Sequence, residues 1–311
     1  MNLVNFFRFQ KRLLESLFPE NWFIQTKKRN HPAFLRWDLC NRIIAQKGVI
    51  LYPEQEKELN IIGRILLDSH ILCQITGGSF QNLTLGSLDI YGDESIEKKI
   101  ISRVVDEHQF EDVMTELYIG AWHKTRGHKV IPIEEDGFPD LKVAVPSVFT
   151  PIFIECKHLW TSSKRRIEDV VRKANKQLRK IRKKSYGVLL LDLNIPVKAG
   201  KVSDDVLPND LVERLEVIES SLSGKKNRSV GVSVIVWDDH MILGKPPEPT
   251  FVVFRRRYKL INHQQPKVIV PNNIPLFEGF TVTYWLRWTH RFKFDTSESG
   301  SRWDSSSSIL R

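Results

Sequence analysis

The spacing of apolar positions changes along the chain, and the changes divide it. Up to about residue 105 the period is helical, with Leu59, Ile62, Ile65, Leu66 and Ser69 near intervals of three and four. "MNLVNFFRFQKRLLESLF" reads as an amphipathic helix, and Gly77-Gly78 marks a turn. A further helix is expected from Glu107 to Gly127, with Phe110, Val113, Met114, Leu117 and Ala121 on one face. Three short extended runs follow, "HKVIPIEE", "DLKVAV" and "PIFIECK", separated by Gly137-Phe138-Pro139 and by the stretch from Pro146 to Pro151. Next come a highly charged helix from Ser163 to Lys184 and the apolar run "VLLLDL". The order from residue 107 to 193 is therefore helix, three strands, helix, strand.

Beyond Ile195 the pattern predicts a helix over 208–222, a loop at "SGKKNRS", and strands at "VGVSVIVW" and "TFVVF", while "FTVTYWLRW" further on alternates apolar and polar residues. These strands are open to joining the same sheet. "DTSESGSRWDSSSS" is of low complexity and reads as a disordered tail. The expected divisions are a mostly helical region over 1–105, an α/β core over 106–240, a basic and aromatic extension over 241–293 and the tail over 294–311.

Composition adds a bias toward polyanions. Forty-seven Lys and Arg against 37 Asp and Glu give a net charge of +10, which favours nucleic acid or an acidic surface. Cys40, Cys73 and Cys156 are too far apart for a CxxC site and odd in number, so a reducing compartment is expected. The N-terminal run is interrupted by Arg8, Lys11, Arg12 and Glu15 and so lacks the uninterrupted apolar region of a secretory signal. Ser69 to Leu88, the longest stretch without a charge, is rich in polar residues. A soluble, cytoplasmic protein with no membrane span is the expectation.

The chemistry concentrates in "FPDLKVAVPSVFTPIFIECKH", residues 138–158. In a strand, Phe153, Glu155 and Lys157 point to one face and Ile152, Ile154 and Cys156 to the other. If "DLKVAV" pairs with "PIFIECK", Asp140 lies beside Glu155 with the Lys157 ammonium at the rim. Paired carboxylates resist joint ionisation unless a cation neutralises them, and Mg²⁺ is commonly held by one or two carboxylates plus water and phosphate oxygens. Mn²⁺ is expected to substitute. The bland readings are a strand-initiating turn for Asp140 and a solvated ion pair for Glu155 and Lys157. Glu116 borders the apolar stripe of its helix, and Gln177 sits among Val170, Ala174 and Ile181 on the inner side of its own.

The segment resembles the PD-(D/E)xK, or restriction-endonuclease-like, nuclease superfamily. The resemblance covers residues 107–193, about a quarter of the chain, and rests on Pro139-Asp140, on Glu155-Cys156-Lys157 after 14 intervening residues, and on the element order. It implies a mixed central sheet flanked by helices and Mg²⁺-dependent hydrolysis of phosphodiester bonds, of DNA above all, with RNA left open. Asp140, Glu155 and Glu116 would be metal ligands, and Lys157 would assist the attacking water or neutralise the phosphate. Some members carry Gln followed four positions later by Tyr in the next helix. Gln177 matches as site support, but Ile181 stands where Tyr would, which argues against that subfamily.

The helix from 163 to 184 carries eleven Lys or Arg against Glu168 and Asp169. Lys164, Arg165, Arg166, Arg172, Lys173, Lys176, Arg179 and Lys180 are the expected phosphate contacts. Arg255-Arg256-Arg257-Tyr258 and Tyr284-Trp285-Leu286-Arg287-Trp288 interleave cations and rings as a substrate-docking element would. His158 faces away from the Glu155 side. His123 and His128 lack a third ligand and are expected at the surface. GxxxxGK[ST], HExxH and GxSxG do not occur. The rivals to an endonuclease are a non-catalytic nucleic-acid-binding or assembly module of the same fold, and a binder of acidic protein or membrane surfaces by charge alone. Substrate geometry and assembly, as a homodimer or larger complex, stay open.

Overall fold

The computed structural model of the 311-residue chain describes residues 3–25, 30–46, 56–75, 94–133, 135–146, 148–159, 163–181, 185–193, 209–222, 230–243, 250–262, 282–289 and 293–303. The helices are α1 (Leu3–Leu17), α2 (Trp22–Gln25), α3 (Pro32–Ala45), α4 (Glu56–Ile75), α5 (Glu94–Val104), α6 (Phe110–Thr125), α7 (Lys164–Leu178) and α8 (Asn209–Leu222). The strands are β1 (Lys129–Pro132), β2 (Leu141–Ala144), β3 (Ile152–Leu159), β4 (Tyr186–Leu193), β5 (Val232–Leu243), β6 (Thr250–Asn262), β7 (Val282–Thr289) and β8 (Lys293–Trp303).

The strands form one mixed sheet in chain order. β1, β2 and β3 are antiparallel, β3, β4 and β5 are parallel, and β5 to β8 are antiparallel again. β4 lies at the centre of the parallel part and is buried on both faces, which is why it reads as an unbroken apolar run rather than an alternating one. Val188 and Leu190 face one helical layer with Ile154, Cys156, Val234, Val236 and Phe254. Leu189 and Leu191 face α7 and α8 with Ile235 and Trp237.

The helices before residue 105 are not an appendage. Phe7, Phe9, Leu13 and Leu14 of α1 and Ile62, Ile65 and Leu66 of α4 belong to the same core as Phe110 of α6 and Phe254 of β6. α4 crosses β6 so closely that a Cβ on Gly63 would stand 2.6 Å from the Phe254 ring. Every residue of α6 from Phe110 to His123, Asp112 aside, is buried, as befits a helix covered by the sheet on one side and other helices on the other. Among the described residues no helix is long and apolar enough to cross a membrane.

The two layers also meet through buried charge. Arg36 of α3 reaches Asp68 of α4 at 2.9 Å and Glu111 of α6 at 2.6 Å. Arg64 of α4 pairs with Asp192 of β4, lies 3.1 Å from Asp238 of β5 and 3.8 Å from Glu111. Arg256 of β6 meets Asp238 at 2.6 Å and Asp68 at 2.9 Å, with its guanidinium 4.2 Å from the Tyr118 ring centre. Thr115 donates to Asp192 at 2.7 Å. Burial alone would raise Asp192, but Arg64 and His158 hold its carboxyl well below the usual range.

Several expectations are redrawn. The helix expected to Lys184 ends at Leu178, and residues 294–303, expected as the start of a disordered tail, belong to β8 (Lys293–Trp303), which pairs with β7. Backbone pairing with β7 supplies hydrogen bonds whatever the side chains are, which low-complexity composition does not reveal. The turn at Gly77-Gly78, the loop "SGKKNRS" and the tail from 304 lie outside the described residues.

Candidate metal centre

β2 and β3 pair only as far as Leu141 opposite Ile154. One step further, Asp140 stands opposite Glu155 at the point where the ladder stops. The amides of Cys156 and His158, pointing to the side that β2 has left, need acceptors there. Asp140 Oδ2 accepts from Cys156 N at 2.7 Å, and Asp112 Oδ1 of α6 accepts from His158 N at 2.7 Å. Asp140 therefore has a structural duty, as an acceptor across the strands and not as the turn residue of its bland reading. A carboxylate has about four lone-pair sites, so this leaves it able to bind elsewhere.

Glu155 is fully buried. Its Oε1 lies 2.5 Å from Lys157 Nζ, which is also 3.9 Å from Asp140 Oδ2. Oε2 has no hydrogen-bond partner among the described residues. The side chains of Asp140 and Lys157 are 12% and 23% exposed, so the group opens to solvent on their side.

The turn that presents Asp140 is held from α7. Gly137 has φ +76°, a conformation other residues seldom adopt. Gln177 Nε2 donates to Phe138 O at 3.1 Å, while Lys180 Nζ donates to Asp136 O at 3.3 Å and sits 5.0 Å from the Phe138 ring centre. Ile133 N donates to Asp140 O at 2.8 Å. Gln177 thus positions the turn rather than touching Asp140 or Glu155, and Lys180 is committed to the same turn.

Burial and then the charge of Asp140 push Glu155 up to about 9, against the ammonium of Lys157 that draws it down. Glu116 is pushed up to about 8 by burial and Asp140, against Arg103. Burial also raises Asp112 and lifts the Cys156 thiol well above its ordinary value, so the thiol is not a nucleophile. Burial would lower Lys157, but Asp140 and Glu155 keep it charged, well above the usual lysine range.

Asp140 and Glu155 fit a hard divalent ion. A buried carboxylate oxygen without a partner is costly, and Mg²⁺ characteristically takes one or two protein carboxylates and completes its octahedron with water and phosphate oxygens. Among the described residues no three His, Cys, Asp or Glu side chains gather into a metal cage by themselves. Glu116 in particular does not join Asp140 and Glu155 as a third ligand, because Arg103 of α5 takes both of its oxygens, at 2.9 and 2.5 Å. Sequence reasoning missed Arg103 and Asp112. Asp112 and Glu116 are four apart on one helix, a spacing that places both on the same face.

The remaining expected site residues divide. Lys164, Arg165, Arg166, Arg172, Lys173 and Lys176 of α7 and Arg179 and Lys180 just beyond it are all exposed, Arg172 pairing with Asp169 at 2.7 Å. Arg255 and Arg256 are not a docking surface: they are buried against Asp239 and Asp238, and Arg257 also reaches Asp239, at 3.2 Å. Tyr284 to Trp288 form part of β7, whose side chains lie outside what is described. His123 is not at the surface but fully buried, with Nδ1 3.1 Å from His128 Nδ1, and burial pushes it down to about 3. No protein-family model matches the chain, and no curated protein or solved structure matches it either.

A carboxyl whose folded value is raised stabilises the fold fully below its unfolded value, about 4.3, and that contribution is lost as pH rises through the folded value. In EDTA, thermal stability is expected to fall from about pH 5 to about pH 9, the span set by the Glu155 shift. Mg²⁺ is expected to raise the Tm more at about pH 8 than at about pH 5, since it binds the ionised form. Thermal scans of the wild type and Glu155→Gln check this. An unchanged pH slope in the variant contradicts it.

Proposed function

We propose that the chain is a divalent-metal-dependent nuclease of the PD-(D/E)xK kind, with a restriction-endonuclease-like core from α6 to β4, hydrolysing phosphodiester bonds of DNA endonucleolytically. The observation that carries this reading is Glu155: fully buried, one oxygen on the Lys157 ammonium and the other without a partner, opposite Asp140 where β2 and β3 part. A purely structural ion pair gives no reason to bury an unsatisfied carboxylate oxygen beside a second carboxylate.

Asp140 and Glu155 would hold the ion, which when bound lowers the pKa of water and offsets charge on the phosphoryl group. Lys157, being permanently charged, stabilises negative charge on the phosphate oxygens and does not act as a base. Asp112 and the Asp140 cap fix the path of β3, and Gln177 and Lys180 fix the turn before Asp140. The exposed cations of α7 supply sequence-independent grip on phosphates.

Incubation with plasmid, linear, single-stranded and branched DNA tests the reading. Cleavage is expected with Mg²⁺ or Mn²⁺, none with EDTA, and weaker binding as salt rises. Salt-sensitive binding without metal-dependent cleavage supports a non-catalytic module instead. No DNA binding under any condition overturns both.

A further inference from the structure

The Arg103–Glu116 pair is a feature that the nuclease chemistry does not require. α5 and α6 are joined by a tight connection in which Asp106 N donates to Arg103 O and Gln109 N to Asp106 O, at 3.2 and 3.0 Å. That connection sets Arg103 against Glu116, two-pronged, with Nη1 on Oε2 and Nη2 on Oε1. Fork-on-fork contact of this kind fixes both partners in plane and is among the stronger polar contacts. The Glu116 side chain is 2% exposed and that of Arg103 24%, so the guanidinium is the part of the pair that solvent reaches.

We propose that the centre takes a single divalent ion, and that Arg103 holds the place at Glu116 that a second ion would need. This rests on the metal-site reading of Asp140 and Glu155. A guanidinium does not lose its proton in a protein, so the pair cannot be opened by deprotonation as a Lys or His pair can. An incoming cation at Glu116 would have to displace a like charge held by two hydrogen bonds. At Asp140 and Glu155 the competing cation holds less: Lys157 meets Glu155 on one oxygen only, and the other is left for the ion. Arg103 is thus a positioning residue that keeps Glu116 oriented and its charge neutralised while the ion sits between Asp140 and Glu155.

The test counts bound ions rather than turnover. The full chain is titrated with Mn²⁺, and free Mn²⁺ is followed by electron paramagnetic resonance. Wild type is expected to bind one ion, and Asp140→Asn to lose it. Arg103→Gln is expected to bind two, and Arg103→Gln with Glu116→Gln to return to one. Arg103→Lys, which keeps a cation at Glu116, is expected to stay at one and guards against a folding defect in the Gln variant. Two ions in wild type, or one in both wild type and a folded Arg103→Gln, overturns the inference and leaves the nuclease reading standing. No ion in wild type sinks the nuclease reading itself, and this inference with it.

Discussion

Lys157→Ala is expected to slow cleavage by about 10²- to 10³-fold, the loss that follows removal of one preorganised donor from a site where charge develops. The loss should fall on kcat with little change in KM, because on the proposed reading α7, not Lys157, would carry the DNA contacts. Metal affinity should hold or rise, since the ammonium at 2.5 Å from Glu155 competes with the ion for that carboxylate. This split separates a catalytic role from a structural one: collapse of the pocket would remove metal binding and activity together. Single-turnover cleavage beside Mn²⁺ titration reads both quantities. Equal rates in the variant and wild type would contradict the role given to Lys157.

Arg64→Met is expected to destabilise the fold by about 3–5 kcal/mol, the cost of stripping one partner from a buried ionic group. Arg64 faces Asp192, Asp238 and Glu111, and all three belong to elements on which the layer packing depends. Removing its charge leaves Asp192 with Thr115 and His158 as partners in an apolar interior. The Tm should drop on the order of 10 °C. Adding Asp192→Asn should return part of the loss, because the uncompensated anion, not the missing methylenes, is the larger fault. A drop of less than about 1 kcal/mol, the worth of a surface pair, would mean that the network is solvated.

Much of the site was legible because strands alternate. Once "DLKVAV" and "PIFIECK" are recognised as neighbours bounded by Gly and Pro, Asp140 must come near Glu155, and the observed register places it there. The order of elements from α6 to β4 was readable because the two helices keep a helical period while the strands between and after them are short apolar runs set off by Gly and Pro. Charge was harder. Three consecutive arginines at 255–257 look like a phosphate grip, yet β6 pairs Arg256 opposite Asp238 and Arg255 opposite Asp239, and each cation is spent across the strands.

Contacts between distant segments left no local trace. Arg64 lies 128 residues from Asp192 and 174 from Asp238, and its helix carries no sign of them. Arg103 meets Glu116 through a turn whose geometry no periodicity encodes. His123 follows an apolar stripe that ends near Ala121 in the sequence pattern, but α6 is covered on so many sides that burial continues past it. The N-terminal helices looked separable because their apolar faces could have closed on one another; instead they close on the sheet.

Asp140 and Glu155 sharing one divalent ion is the point on which the chemistry turns, and crystals of the full chain grown with Mn²⁺ test it most directly. The predicted result is an anomalous peak with an oxygen of Asp140 and an oxygen of Glu155 each at about 2.1 Å, the distance of a Mg²⁺-like ion from its ligands. No peak there at saturating Mn²⁺, or a peak that touches neither carboxylate, would contradict it.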